Sequence, residues 1–281
     1  MKLASFRTPG GPSWGAIEGD QALDLMAVSG HPTLQSAIAA DELHKIDDWK
    51  ARAPALPMSD LQWLPVVPNP GKILCIGHNY ESHRKETGRA ATSHPSIFVR
   101  FADSQVGHDQ PIVCPAQSTM LDYEGELAVI IGRHCRQVAA QDALQAVAGY
   151  SIYNDASVRD WQWHTTQFTP GKNFPETGAF GPWLVTADEI PEPSALRVTT
   201  RLNGVVMQDQ PTSEMIFSVP TIIAYISQFT SLAPGDVIVS GTPGGVGAKR
   251  EPPVWMKAGD IVEVEIPAIG TLRNPIAPAR R

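Results

Sequence analysis

Apolar and polar side chains alternate in short stretches along most of this chain, and turns rich in proline and glycine separate these stretches. Alternation with a period of two is typical of strands that place one face in a core. The pattern predicts strands at residues 2–6, 13–18, 72–76, 96–100, 124–131, 149–153, 183–185, 196–202, 236–240 and 261–266. We therefore expect a fold that is mostly β, with short helices.

Apolar residues at helical spacing occur in fewer places. They predict a helix near residues 34–39, a second at 156–168 and a third at 219–229. The third has Ser218 as a candidate N-cap and Pro220 in its first turn, and both residues favour the start of a helix. No stretch approaches the roughly 20 apolar residues that a membrane span requires, so we expect no membrane contact.

A proline-rich segment divides the chain. Residues 64–71 contain three prolines, which exclude a helix and indicate an extended linker. Before it, residues 1–65 combine strands with one helix, and we expect a small N-terminal α/β domain. After it, residues 72–281 carry most of the predicted strands, and we expect a mixed β-sandwich or roll.

Charge and cysteine content exclude several classes of protein. The net charge is −7, and the only tight basic run is Arg280 and Arg281, so we expect a solvated tail and no nucleic-acid partner. The three cysteines form no Cys-x-x-Cys pair, which favours a reducing compartment. One of them, Cys75, lies in an apolar run and is expected to be buried. Because the N-terminus also lacks the apolar core of a signal peptide, we expect a cytoplasmic protein.

Two acidic residues stand at the start of a predicted strand. Glu124 and Glu126 project from the same face of that strand, because side chains alternate, and Gly125 between them lets another group approach the backbone. Like charges on a face that leads into a core are costly. A cation such as Mg²⁺ or Mn²⁺, which prefers carboxylate oxygens, would resolve the conflict. The alternative is a solvated edge strand with two exposed acids.

A third acid follows another predicted strand. Asp155 comes directly after the run at residues 149–154, at the junction with a predicted helix. There it is either the third carboxylate of an open metal site or a simple helix cap.

Five segments resemble the fumarylacetoacetate hydrolase family in sequence, order and spacing. The first along the chain, residues 77–88, resembles the lid of the family. The other four are Asp-Tyr-Glu-Gly-Glu-Leu at 122–127, Tyr-Asn-Asp-Ala-Ser-Val-Arg-Asp at 153–160, Gly-Lys-Asn-Phe at 171–174 and Ser-Gly-Thr-Pro-Gly-Gly-Val-Gly at 240–247. The resemblance covers roughly residues 72–275. It implies the mixed β-roll fold of the family, an association into homodimers and an activity like that of the acylpyruvate hydrolases.

The resemblance also implies a metal site. Glu124, Glu126 and Asp155 match the family's ligands for one Mg²⁺ or Mn²⁺ ion per subunit. Lys172 matches the lysine that lies beside the enolising oxygen of the substrate, where a positive charge stabilises developing negative charge.

Two lid residues match a catalytic pair. His83 and Glu86 are three apart, so they share a face of the short helix that Asn79 is expected to cap and Gly88 to end. In the family such a pair supplies a general base. The alternative for the pair alone is an ion pair facing solvent.

Further residues match groups that contact the substrate, a 2-oxo acid. A guanidinium suits a carboxylate through paired hydrogen bonds. The residues implied are Tyr80, Arg159, Gln162, Gly241 and Thr242. The glycines at 241–247 lack the Lys-Ser/Thr of a phosphate-binding loop, so that alternative is rejected.

The chain departs from the family pattern near the lid. Many members have lysine and proline where this chain has Arg100 and Phe101, so we expect a difference in how the distal end of the substrate is recognised. Trp161 and Trp163 flank the expected site. Each either lines an aromatic pocket or packs against the sheet.

These features favour an enzyme. The resemblance implies a metal-dependent hydrolase that cleaves a carbon–carbon bond of a 1,3-diketo acid, such as the acylpyruvate fumarylpyruvate, through a metal-stabilised enolate. Such reactions occur in the catabolism of aromatic compounds. An oxaloacetate decarboxylase or a 2-oxo acid isomerase or tautomerase would use the same site. The alternative outside enzymes is a β-roll that binds a structural cation, but such a site needs no acid–base pair beside it.

Overall fold

The computed structural model describes residues 1–279, so Arg280 and Arg281 lie outside the described residues. The fold is mostly β with short helices, which confirms the sequence prediction. The strands are β1 Lys2–Thr8, β2 Gly11–Glu18, β3 Gln21–Asp24, β4 Ala55–Pro57, β5 Gln62–Trp63, β6 Ile73–Gly77, β7 Ser96–Arg100, β8 Gln105–Val106, β9 Ile112–Cys114, β10 Leu121–Asp122, β11 Gly125–Ile131, β12 Val147–Asp155, β13 Ser157–Val158, β14 Gly178–Thr186, β15 Arg197–Leu202, β16 Val205–Pro211, β17 Val237–Val239, β18 Ile261–Ile266 and β19 Gly270–Pro278. The α-helices are α1 Met26–Ser29, α2 Leu34–Ala39, α3 Ile46–Lys50, α4 Glu81–Glu86, α5 Arg159–Gln162, α6 Thr169–Lys172 and α7 Val219–Phe229.

Twelve strands form one large sheet. Its main path runs β4-β3-β2-β1-β14-β12-β11-β17-β6-β7, and β5 and β8 pair with β1 and β14 at the side. In the centre, β11 and β12 are antiparallel, with Gly125 opposite Asn154 and Glu126 opposite Tyr153. This register places the beginning of β11 beside the end of β12, where the acidic residues lie.

A second sheet of five strands, β16-β15-β18-β19-β9, covers the beginning of β11. The closeness of this contact explains Gly125. A Cβ atom there would lie 2.2 Å from Oγ1 of Thr200 on β15 and 2.8 Å from Cγ1 of Val264 on β18. The absence of a side chain at Gly125 therefore allows the second sheet to pack closely against the backbone of β11.

The N-terminal strands join the large sheet. β1 pairs antiparallel with β14, with Lys2 opposite Val185 and Leu3 opposite Leu184. Residues 64–71 form neither helix nor strand, in agreement with an extended linker. The division of the chain into domains at this segment stays a prediction.

The predicted helix at 156–168 is wrong over most of its length. Only Arg159–Gln162 is helical there, because Ser157–Val158 instead pairs with β10 as a short strand. The helix Val219–Phe229 has the predicted cap, in which the side chain of Ser218 accepts from the N–H of Thr221.

Two smaller expectations have opposite outcomes. Cys75 is buried, as predicted. Asn79 does not cap α4, whose N-cap is Tyr80. The side chain of Asn79 instead donates to the carbonyls of Ser240 and Phe217 at 2.7 and 3.0 Å. It thereby joins the lid to the segment after β17 and to the segment before α7.

Among residues 1–279, no helix has the length and apolar character needed to cross a membrane.

Candidate active site

Three acidic side chains meet where β11 begins and β12 ends. Glu124 precedes β11, Glu126 is its second residue, and Asp155 ends β12. One carboxylate oxygen of each lies within 4.8 Å of the other two, and all three side chains are buried. The backbone fixes this arrangement, because the N–H of Asp155 donates to the carbonyl of Glu124 at 2.8 Å. The structure therefore brings together the three acids that the sequence singled out.

Two cationic side chains neutralise part of this charge. Lys172 Nζ donates to Glu124 Oε2 at 2.6 Å and to Asp155 Oδ2 at 2.5 Å. Arg159 Nη2 lies 2.7 Å from Glu124 Oε1. Burial raises the pKa of Glu124, but the charges of Lys172 and Arg159 outweigh this effect and hold the pKa below its ordinary value. Glu124 is therefore ionised at neutral pH.

Glu126 lacks such a partner. Within residues 1–279 its only partner is the N–H of Gly241, which donates to Oε2. Burial, together with the charges of Asp155 and Glu124, raises the pKa of Glu126 well above its ordinary value. A divalent cation between the three carboxylates would remove this conflict, because hard cations take carboxylate oxygens as ligands. The residues present therefore fit Mg²⁺ or Mn²⁺.

The helix α4 carries the predicted acid–base pair. His83 is 5% exposed, and its Nδ1 lies 2.7 Å from Oε1 of Glu86. Because a carboxylate only accepts, Nδ1–H is the donor, and in the neutral imidazole the lone pair then lies on Nε2. Glu86 is itself fixed by the N–H of Gly245, which donates to Oε2 at 2.9 Å. The pair thus combines a buried histidine with a half-buried glutamate, and it is not an ion pair in solvent.

One pocket joins these groups. Its wall includes His83, Lys172, Glu124 and Glu126, so the acid–base pair and the acidic cluster face the same space. Asp155 contacts Lys172 from outside this wall. Further lining residues are His78, Thr87, Arg89, Phe98, Arg159, Gln162, Trp163, Phe168, Thr242 and Lys249.

The residues expected to contact the substrate are placed unevenly. Arg159, Gln162 and Thr242 line the pocket, whereas Tyr80 and Gly241 do not. The N–H of Gly241 donates to Glu126, and Tyr80, within the lid segment 77–88, is fully buried. The contacts of these five residues with a substrate stay predictions.

Arg159 is already committed to protein groups. Its Nε donates to Oδ2 of Asp122 at 2.8 Å, and its Nη1 donates to Oε1 of Gln162 at 2.8 Å. Asp122 also accepts from the N–H of Gly247 at 2.8 Å, so it joins α5 to the glycine-rich segment. The sequence interpretation gave Asp122 no role. Its place two residues before Glu124, in the same motif, was the available signal.

Arg100 lies elsewhere than the sequence interpretation supposed. Its guanidinium is buried behind Asp155, to which Nη1 donates at 2.7 Å, and its Nη2 donates to Thr177 Oγ1 at 2.7 Å. It does not line the pocket. No local pattern could reveal this, because Asp155 is 55 residues away in sequence.

Of the two tryptophans near the site, one packs inside the protein and the other lines the pocket. Trp161 packs edge-on against Phe174, with ring centroids 5.1 Å apart. Trp163 is 55% exposed and lines the pocket. The ring of His78, which the sequence interpretation overlooked, stacks on His83 with centroids 5.2 Å apart.

Known proteins resemble this chain over its whole length. Residues 72–277 match the family model described as the C-terminal domain of fumarylacetoacetate hydrolase. A mitochondrial oxaloacetate tautomerase of Bos taurus is 41% identical over 293 residues, which cover 98% of this chain and 91% of that protein. A fumarylacetoacetate hydrolase from psychrophilic Exiguobacterium antarcticum has a similar structure, with a TM-score of 0.90 and 35% identity over 99% of this chain and 100% of that one. A maleylpyruvate hydrolase from Sphingobium sp. SYK-6, in complex with manganese(II) and pyruvate, gives a TM-score of 0.84 and 28% identity over 100% of both chains.

Proposed function

This chain belongs to the fumarylacetoacetate hydrolase family, and we propose that it catalyses the keto–enol tautomerisation of a short 2-oxo acid such as oxaloacetate. The observation that carries the proposal is the His83–Glu86 pair, whose histidine lines the same pocket as Lys172, Glu124 and Glu126. The sequence analysis put hydrolysis first. The similarity to an oxaloacetate tautomerase along almost the whole chain favours tautomerisation.

The acidic cluster would hold the cofactor. Glu124, Glu126 and Asp155 supply three carboxylates around one point, as a divalent cation requires. When bound, such a cation polarises the carbonyl of a 2-oxo acid and so acidifies the neighbouring carbon.

The acid–base pair would move the proton. His83 removes a proton from the carbon beside the carbonyl with Nε2, while Nδ1–H stays bonded to Glu86. The electron pair of the broken C–H bond forms the C=C bond of the enol. The carbonyl oxygen takes up a proton from water, and His83 returns the proton that it removed to the solvent. Lys172 Nζ adds positive charge beside the site and stabilises the negative charge that develops on that oxygen. Glu86 in turn stabilises the imidazolium that His83 becomes.

The direct test is a spectrophotometric assay of the enol form of oxaloacetate, with Mg²⁺ or Mn²⁺ present. We expect the enzyme to accelerate the decay of the enol well above the rate with metal alone. Treatment with EDTA should abolish the acceleration, and excess metal should restore it. A rate equal to that of the metal alone would refute tautomerisation.

A second candidate is hydrolysis of an acylpyruvate, such as fumarylpyruvate formed during the catabolism of aromatic compounds. The same Nε2 of His83 would take a proton from water, and the structural similarity to a maleylpyruvate hydrolase supports this candidate. Water would then add to the distal carbonyl, the carbon–carbon bond would break, and pyruvate and a second acid would form. A panel of acylpyruvates assayed for pyruvate, and oxaloacetate assayed for CO₂, separates hydrolysis from decarboxylation.

We also propose that the protein is a homodimer, as the family resemblance implies. Light scattering on the purified protein should give twice the chain mass of 30.3 kDa. A mass of one chain would refute the dimer and leave the proposed reaction unaffected.

A further inference from the structure

We propose that Arg89 and Lys249 form an anion subsite at the mouth of the pocket, which binds the distal carboxylate of a dicarboxylic 2-oxo acid. The inference rests on the proposed function and narrows its substrate class. It assigns the recognition of the substrate's second charge to two residues outside the five that the sequence pointed to.

The inner cations of the pocket are already neutralised. Lys172 contacts Glu124 and Asp155, and Arg159 contacts Glu124 and Asp122, all at 2.5–2.8 Å. These two cations are buried among four acids. They therefore have little charge to spare for a second carboxylate of the substrate.

The outer cations are uncommitted. Arg89 and Lys249 both line the pocket and are exposed. Throughout residues 1–279, neither forms an ion pair with an acidic side chain, whereas basic residues near each of them are bonded to other protein groups. Arg84 on α4 is bidentate to Glu81, at 2.8 and 2.6 Å, and Arg250 donates to the carbonyl of Met207. A carboxylate entering the pocket therefore meets two free cations.

The backbone beneath each cation is anchored. Lys249 ends the turn Gly247–Lys249, and Asp122 accepts from the first two N–H groups of that turn at 2.8 and 3.0 Å. Arg89 follows α4, and its carbonyl accepts from Arg84 Nη1 at 2.6 Å. Anchored backbones with exposed side chains suit a charge that arrives with the substrate. Asp122 also holds Arg159, so the outer and inner parts of the pocket share one support.

The charge of Arg89 reaches the interior of the pocket. It is one of the charges that, together with burial and His83, lower the pKa of His78, which lines the pocket. A 2-oxo acid whose carbonyl end lies at the acidic cluster must direct its other end toward this mouth. Hydrogen bonds between a cation and a carboxylate are stronger than those to a neutral oxygen. The subsite would therefore favour a distal carboxylate over a neutral acyl group.

The test compares two substrates that differ only at the distal end, oxaloacetate and its 4-methyl ester. In Arg89→Met and in Lys249→Met we expect the KM for oxaloacetate to rise roughly 5- to 20-fold, the range between an exposed and a fully formed charged hydrogen bond. The KM for the ester should change less than about 2-fold. Lys85→Met and Lys257→Met, which remove exposed lysines outside the pocket, are the matched controls.

A binding experiment separates this inference from the proposed function. 3,3-Difluoro-oxaloacetate has no proton on carbon 3, so it cannot enolise, and calorimetry with Mn²⁺ present compares its affinity with that of its 4-methyl ester. Loss of the preference for the dicarboxylate in Arg89→Met/Lys249→Met supports the subsite even in an enzyme without tautomerase activity. An unchanged preference, or equal losses for both ligands, would overturn it even in an active enzyme.

Discussion

Arg100 Nη1 donates to Oδ1 of Asp155 at 2.7 Å, and both side chains are completely buried. The other oxygen of this carboxylate faces Lys172 and the acidic cluster. Arg100 thus holds one of the three candidate metal ligands from behind. Partners of this kind orient a ligand, and their loss typically costs 10- to 100-fold in metal affinity.

Replacing Arg100 tests this positioning role. Arg100→Met should destabilise the fold by about 3–5 kcal/mol, because the buried Asp155 loses one of its two cationic partners, and should weaken Mn²⁺ binding about 10- to 100-fold. Arg100→Lys, which keeps the charge without the planar fork, should recover part of both. Denaturant unfolding and calorimetry with Mn²⁺ measure the two effects. Tighter Mn²⁺ binding in Arg100→Met would instead mean that Arg100 competes with the metal for Asp155.

The acidic pair at the start of β11 could be singled out because its cause is local, whereas Asp155 and the full set of three metal ligands came from the family resemblance. Glu124 and Glu126 lie two apart on a strand, and two like charges on one buried face require an explanation wherever the rest of the chain goes. Arg100 acts across the sheet, so its partner depends on the order and register of the strands. The proposed substrate class could not be predicted for the same reason. It depends on Arg89 and Lys249, which are 160 residues apart in sequence and meet at one pocket only in the folded chain.

The strands show the same division. Strand Ile261–Ile266 was predicted with its observed bounds, since apolar and acidic residues alternate from Val262 to Ile266. Strands Val205–Pro211 and Gly270–Pro278 were not predicted, because the first begins with exposed apolar residues and the second contains prolines. Pairing with neighbouring strands overrides these weak local signals.

Glu126 tests the cofactor. Glu126→Gln keeps the shape of the side chain and removes one candidate metal ligand, so the affinity for Mn²⁺ should fall on the order of 100-fold. The metal-free variant should unfold at the same or a higher temperature, because one buried like charge is gone. Electron paramagnetic resonance of bound Mn²⁺ and thermal unfolding report the two quantities. The exposed Glu251→Gln is the control, and unchanged Mn²⁺ affinity in Glu126→Gln would remove this residue from the site.

Gly125 tests how closely the two sheets approach. In Gly125→Ala the new methyl group would lie 2.2 Å from Thr200 Oγ1, and overpacking of this kind typically costs about 1–3 kcal/mol. Adding Thr200→Ala should restore part of the loss. Gly10→Ala, where the nearest atom is 3.5 Å away, serves as the control in denaturant unfolding. Equal stability of Gly125→Ala and the parent protein would show that the sheets separate easily.

His78 tests the pH dependence of stability. Burial, the charge of His83 and those of Arg89 and Lys172 lower its pKa to about 4, against an opposing effect of Glu124. Between pH 6.5 and 4 the unfolded chain therefore binds more protons at this residue than the native chain does. Its contribution to stability is complete above pH 6.5 and is lost as the pH falls toward 4.

The free energy of unfolding should therefore fall with decreasing pH in that window, with a slope from this group of at most about 1.4 kcal/mol per pH unit. His78→Asn should flatten the slope. Asparagine is the suitable replacement, because His78 has a φ of 54° and asparagine tolerates that conformation. Identical slopes in the two proteins, from denaturant unfolding at several pH values, would exclude His78 as the cause.

His83 and Glu86 test the reaction itself. His83→Ala should reduce tautomerisation on the order of 10²–10⁴-fold, the usual contribution of a positioned base. Glu86→Ala should give a similar loss, since His83 then loses both its orientation and the charge that stabilises its protonated form. The double variant should lose little more, because two members of one catalytic unit are not additive.

Neither substitution touches the three candidate metal ligands, so Mn²⁺ affinity should stay at the parent value and separate loss of the base from loss of the site. Lys172→Met should impair tautomerisation and hydrolysis alike, because both develop negative charge on the carbonyl oxygen. Decarboxylation of oxaloacetate needs no base to remove a proton, so it should survive His83→Ala. Measuring enol decay, pyruvate and CO₂ on the same variant therefore tests the residue and the reaction class together. Full tautomerase activity in His83→Ala would remove this histidine from the mechanism.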